Sequence, residues 1–346
     1  MTLIIFIIML GVIVFVHEFG HFIFAKKNDI YVYEFSIGFG PKLFSFKRKN
    51  DPTEYMVKLI PLGGYNAMAG EEDGTEENFK GIKVPKEQKL CNKTVWQRFI
   101  VMFAGAMNNF ILGIVLLFIM GIIYGINTAG TTLNNIPKDG ALYEAGARNG
   151  DTIMKINDKN VKTYDDIQMR LAMSNNEPVS ITVKNKQDVK TYKVTPKLNK
   201  EDNNYYYGIS VKVEHKTGIL TSIKYAFQKF WSIYKSMFVV IGGMITGTIG
   251  LDSLSGPVGI YNVVGEARAS LAMILYLTAY LSINIGFMNL LPFPAFDGGR
   301  ILFLIIEKIK GSKVNPKVES TLNTIGFMFL MLLLVVITIK DIFKVI

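Results

Sequence analysis

Residues 3–25 form one apolar run long enough to cross a bilayer, broken only by His17-Glu18-Phe19-Gly20-His21. Such a segment has to be helical, because lipid offers no partner to unpaired backbone N–H and C=O groups. Residues four apart share a helix face, so the imidazoles of His17 and His21 can grip one metal ion. Glu18 stands beside them, where a carboxylate can take a proton from water at the metal. A bare HExxH match is weak, since soluble proteins produce it by chance. Ionisable groups at membrane depth are costly and usually functional. With three histidines in the whole chain, the pair points to an intramembrane zinc hydrolase.

Composition supports the membrane and narrows the chemistry. Half of the 346 residues are hydrophobic, too many for an ordinary soluble domain. The net charge of +10 does not signal nucleic acid, because the lysines are dispersed among acidic residues and beside apolar runs. Cys91 is the single cysteine. It permits neither an internal disulfide nor a thiolate zinc site, which leaves histidine and carboxylate as ligands. Residues 3–25 have neither the basic leader nor the small-residue cleavage site of a signal peptide.

Three further spans are expected at 99–126, 271–291 and 325–339, the first apolar apart from Asn108 and Asn109. Lys26, Lys27, Arg48, Lys93, Arg98, Arg300 and Lys308 flank these spans on one side, with further lysines around them. The positive-inside rule makes those loops cytoplasmic and puts both termini and residues 127–270 outside. At about 1.5 Å per helical residue, His17 then lies in the cytoplasmic half of the bilayer. Residues 236–251 are apolar but short and glycine-bearing, and read as an interfacial or partly buried helix after an amphipathic stretch at 223–235.

Between the first two spans, alternating runs at 31–36, 42–47, 54–60 and 65–68 are punctuated by Gly38, Gly40, Pro41, Gly63 and Gly64. They predict a membrane-associated hairpin or small sheet over 31–70, followed by an irregular polar stretch at 71–93. From 131 to 198 the chain turns polar, with short β-type runs and one helical segment at 164–174. Within it, Gly140-Ala141-Leu142-Tyr143-Glu144-Ala145-Gly146-Ala147-Arg148-Asn149-Gly150-Asp151 closely resembles a PDZ domain of the bacterial protease type.

A catalytic zinc takes three protein ligands and leaves one position open. The candidate third ligand lies in Asn289-Leu290-Leu291-Pro292-Phe293-Pro294-Ala295-Phe296-Asp297-Gly298-Gly299, at the cytoplasmic end of the third span. Pro292 and Pro294 break the helix, and non-helical backbone at this depth has to face protein or a cavity. Asp297 follows and can turn toward the metal. A plain span-ending turn uses the same residue types; the HExxH at the same depth favours the ligand reading.

Together these stretches resemble the site-2 protease family of intramembrane metalloproteases, specifically the bacterial RseP/RasP type with one PDZ domain. The resemblance covers nearly the whole chain and includes Gly38-Phe39-Gly40-Pro41, Pro61-Leu62-Gly63-Gly64-Tyr65, Ser255-Gly256-Pro257-Val258-Gly259 and the Asn289 to Gly298 motif. One departure is Ala106, where the family usually has proline. The resemblance implies a zinc endopeptidase that cuts single-span membrane proteins in or near their transmembrane segments, after an upstream site-1-type protease. Anti-sigma factors and signal-peptide remnants are the typical bacterial substrates. It implies zinc on His17, His21 and Asp297, Glu18 as base, and Asn289 on the substrate main chain with Pro292 and Pro294 beside it. The hairpin with Gly63, Gly64 and Tyr65 is suited to accept an unwound substrate as an added strand, and from sequence alone an edge hairpin that only anchors to the bilayer reads equally well.

The expected fold is therefore a polytopic α-helical protein of the bacterial inner membrane, with four transmembrane helices, a β region and an inserted extracytoplasmic PDZ domain. Its parts are 1–126 (first half of the core), 127–200 (PDZ), 201–270 (interfacial helices) and 271–346 (second half). A membrane PDZ adaptor with a structural metal is the rival reading, but such a site would be closed by four protein ligands. A transporter would distribute polar residues along several spans, which this sequence does not.

Overall fold

A computed structural model describes residues 1–71, 79, 81–186, 188–199, 204–250 and 254–345. In chain order, α1 (Thr2–Lys27) leads to β1 (Val32–Lys47), β2 (Glu54–Met68) and α2 (Val95–Tyr124). Then come β3 (Ile126–Leu133), α3 (Ala141–Glu144), β4 (Thr152–Ile156), β5 (Lys159–Asn160), α4 (Tyr164–Ala172), β6 (Val179–Asn185) and β7 (Asp188–Val194). After β8 (Lys197–Asn199), β9 (Asn204–Tyr206) and β10 (Val211–Lys216), the rest is helical. It comprises α5 (Ile219–Ile245), α6 (Pro257–Ala267), α7 (Leu271–Asn289), α8 (Asp297–Lys310) and α9 (Pro316–Val345).

Among the described residues four helices are long and apolar enough to cross a membrane: α1, α2, α7 and α9. This matches the number expected, but two of them begin earlier, α2 at Val95 and α9 at Pro316. Charged and polar residues extend those helices beyond their apolar runs, which is why hydropathy alone cut them short. The region 223–251 also differs in form. Residues 219–245 make one continuous amphipathic helix, α5, not a basic stretch followed by a separate apolar helix.

The chain forms two compact units, Met1–Leu117 with Leu254–Ile346, and Phe118–Ser253. In the first, apolar helices approach closely where residues are small, since lipid provides no hydrophobic drive and packing has to do the work. A Cβ on Gly20 would sit 2.5 Å from the carbonyl oxygen of Ala104, and one on Gly286 would meet Phe110 and the Ala106 carbonyl. Ala106 itself is fully buried within an unbroken α2, so the missing proline leaves no kink. Asp341 on α9 accepts from the N–H groups of Gly256 (2.7 Å) and Gly259 (2.9 Å), satisfying the exposed amides that open α6.

The β region is tighter than four separate runs. Residues Glu34 to Ile37 of β1 pair with Gly64 to Ala67 on one side and Glu54 to Val57 on the other, and Phe44 to Lys47 pairs back onto Glu54 to Val57. Gly38 and Gly40 adopt positive φ (88° and 84°) where β1 leaves its first pairing, a conformation that side chains resist. Phe22, Ala25, Val32, Phe35, Met68, Val101 and Met102 form one buried cluster that fixes this sheet against α1 and α2. Asp51, between the strands, is held by Lys26 (2.9 Å), the Thr53 N–H (3.0 Å) and the Tyr55 hydroxyl (2.7 Å). Partial burial pushes its carboxyl up, but these donors outweigh it and hold it well below the usual carboxylate range.

In the second unit the sheet order is β10-β3-β4-β6-β7, with β5 on β4. Val179, Ile181 and Val183 fill its core at alternate positions of β6, with Ile153 and Ile156 of β4 and Ile167 of α4. Thr163 and Asp166 form a capping box that starts α4. The sheet runs past residue 200, where the sequence suggested a boundary. β10 pairs antiparallel with β3 and belongs to the same module.

Candidate metal centre

The HExxH stretch lies on α1, well inside the helix, and both imidazoles face α2 and α8 as the four-residue spacing requires. His17 Nε2 and His21 Nε2 are 3.3 Å apart. Asp297 Oδ2 lies 3.4 Å from the first and 3.3 Å from the second. Among the described residues these three form a cluster able to hold a metal.

The triangle fits zinc. Ligand atoms bonded at about 2.0–2.1 Å in a tetrahedron are separated by about 3.3–3.4 Å, the spacing found on all three edges. Asp297 Oδ2 is buried and accepts no hydrogen bond from the described residues, an expensive state for a carboxylate oxygen that a cation would relieve. His21 Nδ1 lies 2.8 Å from the carbonyl oxygen of Val101. It therefore carries the proton, and Nε2 keeps its lone pair for the ion. The amide of Asn109 is 3.3 Å from His17 Nδ1, and its Oδ1 is buried without a partner among the described residues. Turning that oxygen toward His17 satisfies both groups and fixes the same tautomer.

Asp297 is the first residue of α8, not part of an extended stretch as the two prolines suggested. Residues 290–296 make a compact turn with Ala295 at φ 78°. Gly298 and Gly299 back onto that turn so closely that a Cβ would lie 2.2 Å from the Leu291 carbonyl oxygen and 2.4 Å from that of Phe293. The glycines let α8 start where Asp297 meets the histidines. Pro294 packs on Gly326 of α9, while Pro292 is exposed. The Asn289 amide nitrogen lies 3.5 Å from His17 Nε2, at the edge of the cluster.

Glu18 is gripped from the β region. Asn66 Nδ2 donates to Glu18 Oε2 (2.7 Å) and to the Glu18 backbone carbonyl (2.9 Å). A Cβ on Gly64 would sit 2.8 Å from Glu18 Cγ, so β2 passes directly over the acid. Next along the strand, the Tyr65 hydroxyl donates to Glu34 and accepts from Lys58 Nζ (2.6 Å). Burial and the Glu34 carboxylate both push the Tyr65 phenol up. Gly63 sits with φ 149° against the Phe39 ring.

Sequence reasoning singled out His17, Glu18, His21 and Asp297, and the structure brings them together. It missed Asn66, Asn109 and Gly105. The Asn108-Asn109 pair was visible as polar residues in mid-span, the sign of an internal partner. Asn108 bonds the Val16 carbonyl at 3.3 Å. No local signal marks Asn66 or Gly105.

A cavity of about 460 Å³ lies away from the cluster, lined by Glu71, Arg98, Arg300 and Glu307 among others. Arg98–Glu307 and Arg300–Glu71 ion pairs tie α8 to α2 and to the residues just after β2.

Three potential metal ligands, two on the apolar helix α1 and one at the start of α8, with a carboxylate beside them, point to a membrane metallopeptidase. Comparison with known proteins agrees. The model of peptidase family M50 matches residues 5–333. A putative zinc metalloprotease of Clostridium acetobutylicum is 36% identical across 99% of this chain and 97% of its own length. The zinc metalloprotease RasP of Bacillus licheniformis is 33% identical, and the regulator of sigma-W protease RasP of Bacillus subtilis 32%, each across 99% of this chain and 98% of theirs. The chain belongs to peptidase family M50 and is a zinc-dependent metalloprotease.

Proposed function

We propose that the protein is an intramembrane endopeptidase of the site-2 type, which hydrolyses peptide bonds in or near transmembrane segments of single-span membrane proteins. The observation that carries this reading is the cluster of His17 and His21 on the apolar helix α1 with Asp297 at the start of α8, and Glu18 beside it. When bound, zinc supplies a Lewis acid that polarises the scissile carbonyl and acidifies water. Glu18 takes a proton from the attacking water and passes it to the leaving nitrogen. The fit of the three side chains to zinc supports them as its ligands.

Asn289, at the rim of the cluster, is read as holding the substrate main chain, with Pro292 and Pro294 shaping the wall beside it. A transmembrane helix hides its peptide bonds in its own hydrogen bonds, so the substrate has to unwind before it is cut. The strand carrying Gly63, Gly64 and Tyr65 is suited to receive it, because it passes over Glu18 and its pairings among the described residues are all with β1. Proline placed in turn at Tyr65, Ala67 and Met68 samples N–H groups on both edges of the strand and should abolish cleavage where the N–H faces the open edge, while zinc stays bound. Full activity in all three variants would remove the added-strand step.

Charge bias supports an orientation with the histidine end of α1 toward the cytoplasm of a bacterial cell and the termini outside. By the same reading residues 127–200 are a PDZ domain on the outer face. The name of the Bacillus subtilis relative favours anti-sigma factors as substrates, trimmed first by a site-1-type protease; signal-peptide remnants present the same chemistry. The test is cleavage of a purified single-span substrate in detergent. A strong chelator should stop cleavage and one equivalent of zinc should restore it; hydrolysis that survives metal removal would sink the proposal.

A further inference from the structure

We infer that Asn66 is the positioning residue that holds Glu18 for proton transfer, an inference that rests on the proteolytic reading above. A glutamate side chain has three rotatable bonds, and a base that wanders among rotamers loses the alignment that proton transfer needs. Asn66 removes that freedom. Its one amide nitrogen spends both hydrogens on Glu18, one on the backbone carbonyl (2.9 Å) and one on Oε2 (2.7 Å). The Glu18 stem is braced at the same time by the bare backbone of Gly64, where a Cβ would lie 2.8 Å from Glu18 Cγ. Head and stem are thus fixed by two residues of one strand.

The other end of the amide shows what sets its orientation. Asn66 is buried, and its Oδ1 has no hydrogen-bond partner among the described residues. A buried acceptor left unpaired destabilises a protein, and such exceptions call for a reason. Reversing the amide would bring Oδ1 against the Glu18 carboxylate and carbonyl, oxygen facing oxygen. The side chain therefore keeps the orientation that serves Glu18 at the cost of its own oxygen, as strained groups at functional sites do.

In the reaction, an O–H bond of water breaks as its oxygen joins the scissile carbon. The proton goes to Oε1, the Glu18 oxygen that Asn66 leaves open. It then passes to the departing nitrogen as the C–N bond breaks, and Glu18 returns to its starting state. The Asn66 bond to Oε2 holds the acid through both transfers, and Asn66 itself touches no reacting atom.

The test uses full-length detergent-solubilised protein with Asn66→Leu, similar in volume and free of polar atoms. Its kcat on a single-span substrate should fall about 10- to 100-fold, with KM within about twofold of wild type. Zinc should stay at one equivalent, and Tm should change little, because the orphaned oxygen goes at the same time as the two Glu18 acceptors lose their donor. A zinc-chelating hydroxamate, whose hydroxyl donates to the base carboxylate, should bind about tenfold more weakly. In a Glu18→Ala background the same substitution should leave hydroxamate affinity unchanged. Should the leucine variant fail to accumulate, Asn66→Ser serves the same comparisons. A kcat within about threefold of wild type, or a loss that tracks zinc or Tm, overturns the inference. An inert wild type, or one that Glu18→Ala leaves unaffected, instead overturns the proteolytic reading beneath it.

Discussion

Gly105→Ala should give a folded protein that holds no zinc and cuts nothing. A methyl group at this position of α2 would sit 2.3 Å from His21 Nε2 and 2.8 Å from His17 Cε1. These are far inside van der Waals contact, so either the imidazoles swing away or α1 and α2 separate. Both outcomes break a triangle whose edges are 3.3 to 3.4 Å. The helix itself does not suffer, because alanine is a better helix former than glycine by about 1 kcal/mol. Loss of metal without loss of helicity is therefore the signature. Gly11→Ala, on α1 with nothing within 4 Å of the added carbon, is the control and should keep both zinc and activity. Zinc measured by mass spectrometry on the two purified variants decides the matter, and a Gly105→Ala protein with one zinc and normal turnover would show that the helices are looser than described.

Glu18→Gln should do the reverse: full zinc and almost no turnover. Glutamine keeps the size of the side chain and leaves an oxygen to accept from Asn66, so the grip seen at 2.7 Å persists. It cannot take a proton from water. General-base catalysis contributes about 10²- to 10⁴-fold, so kcat should fall by about three orders of magnitude, or roughly 4 kcal/mol of barrier. Substrate binding should survive, which makes this variant a trap for capturing natural substrates. Turnover near wild type would mean that Glu18 is not the base, whatever the zinc content.

How much of this was legible in the sequence depends on where each signal resides. Four apolar helices could be read because bilayer thickness sets their length, and His17, Glu18 and His21 because helix periodicity is local. Asp297 was reachable only through its neighbours, the prolines and paired glycines that end one helix and begin another. The start of α8 at Asp297 was not, since Pro292 and Pro294 argue for extended chain while the following residues already favour a helix. The pairing of one β1 segment with two parts of β2 is a long-range choice that alternation alone cannot fix. Asn66 and Gly105 act wholly across elements. One is an asparagine in a strand and the other a glycine in a helix, and only the fold shows what each meets.

The metal cluster also bears on how the protein is made. Two of its atoms come from the first helix and the third from α8, near the other end of the chain. On the proposed ligand set, a ribosome has to synthesise most of the polypeptide, and α7 has to enter the bilayer, before zinc meets its full complement of donors. Until then the nascent chain holds a histidine pair and a glutamate but no working centre. A hydrolase that will live among other membrane proteins thus stays inert during its own insertion, and a chain truncated before Asp297 is harmless to its neighbours.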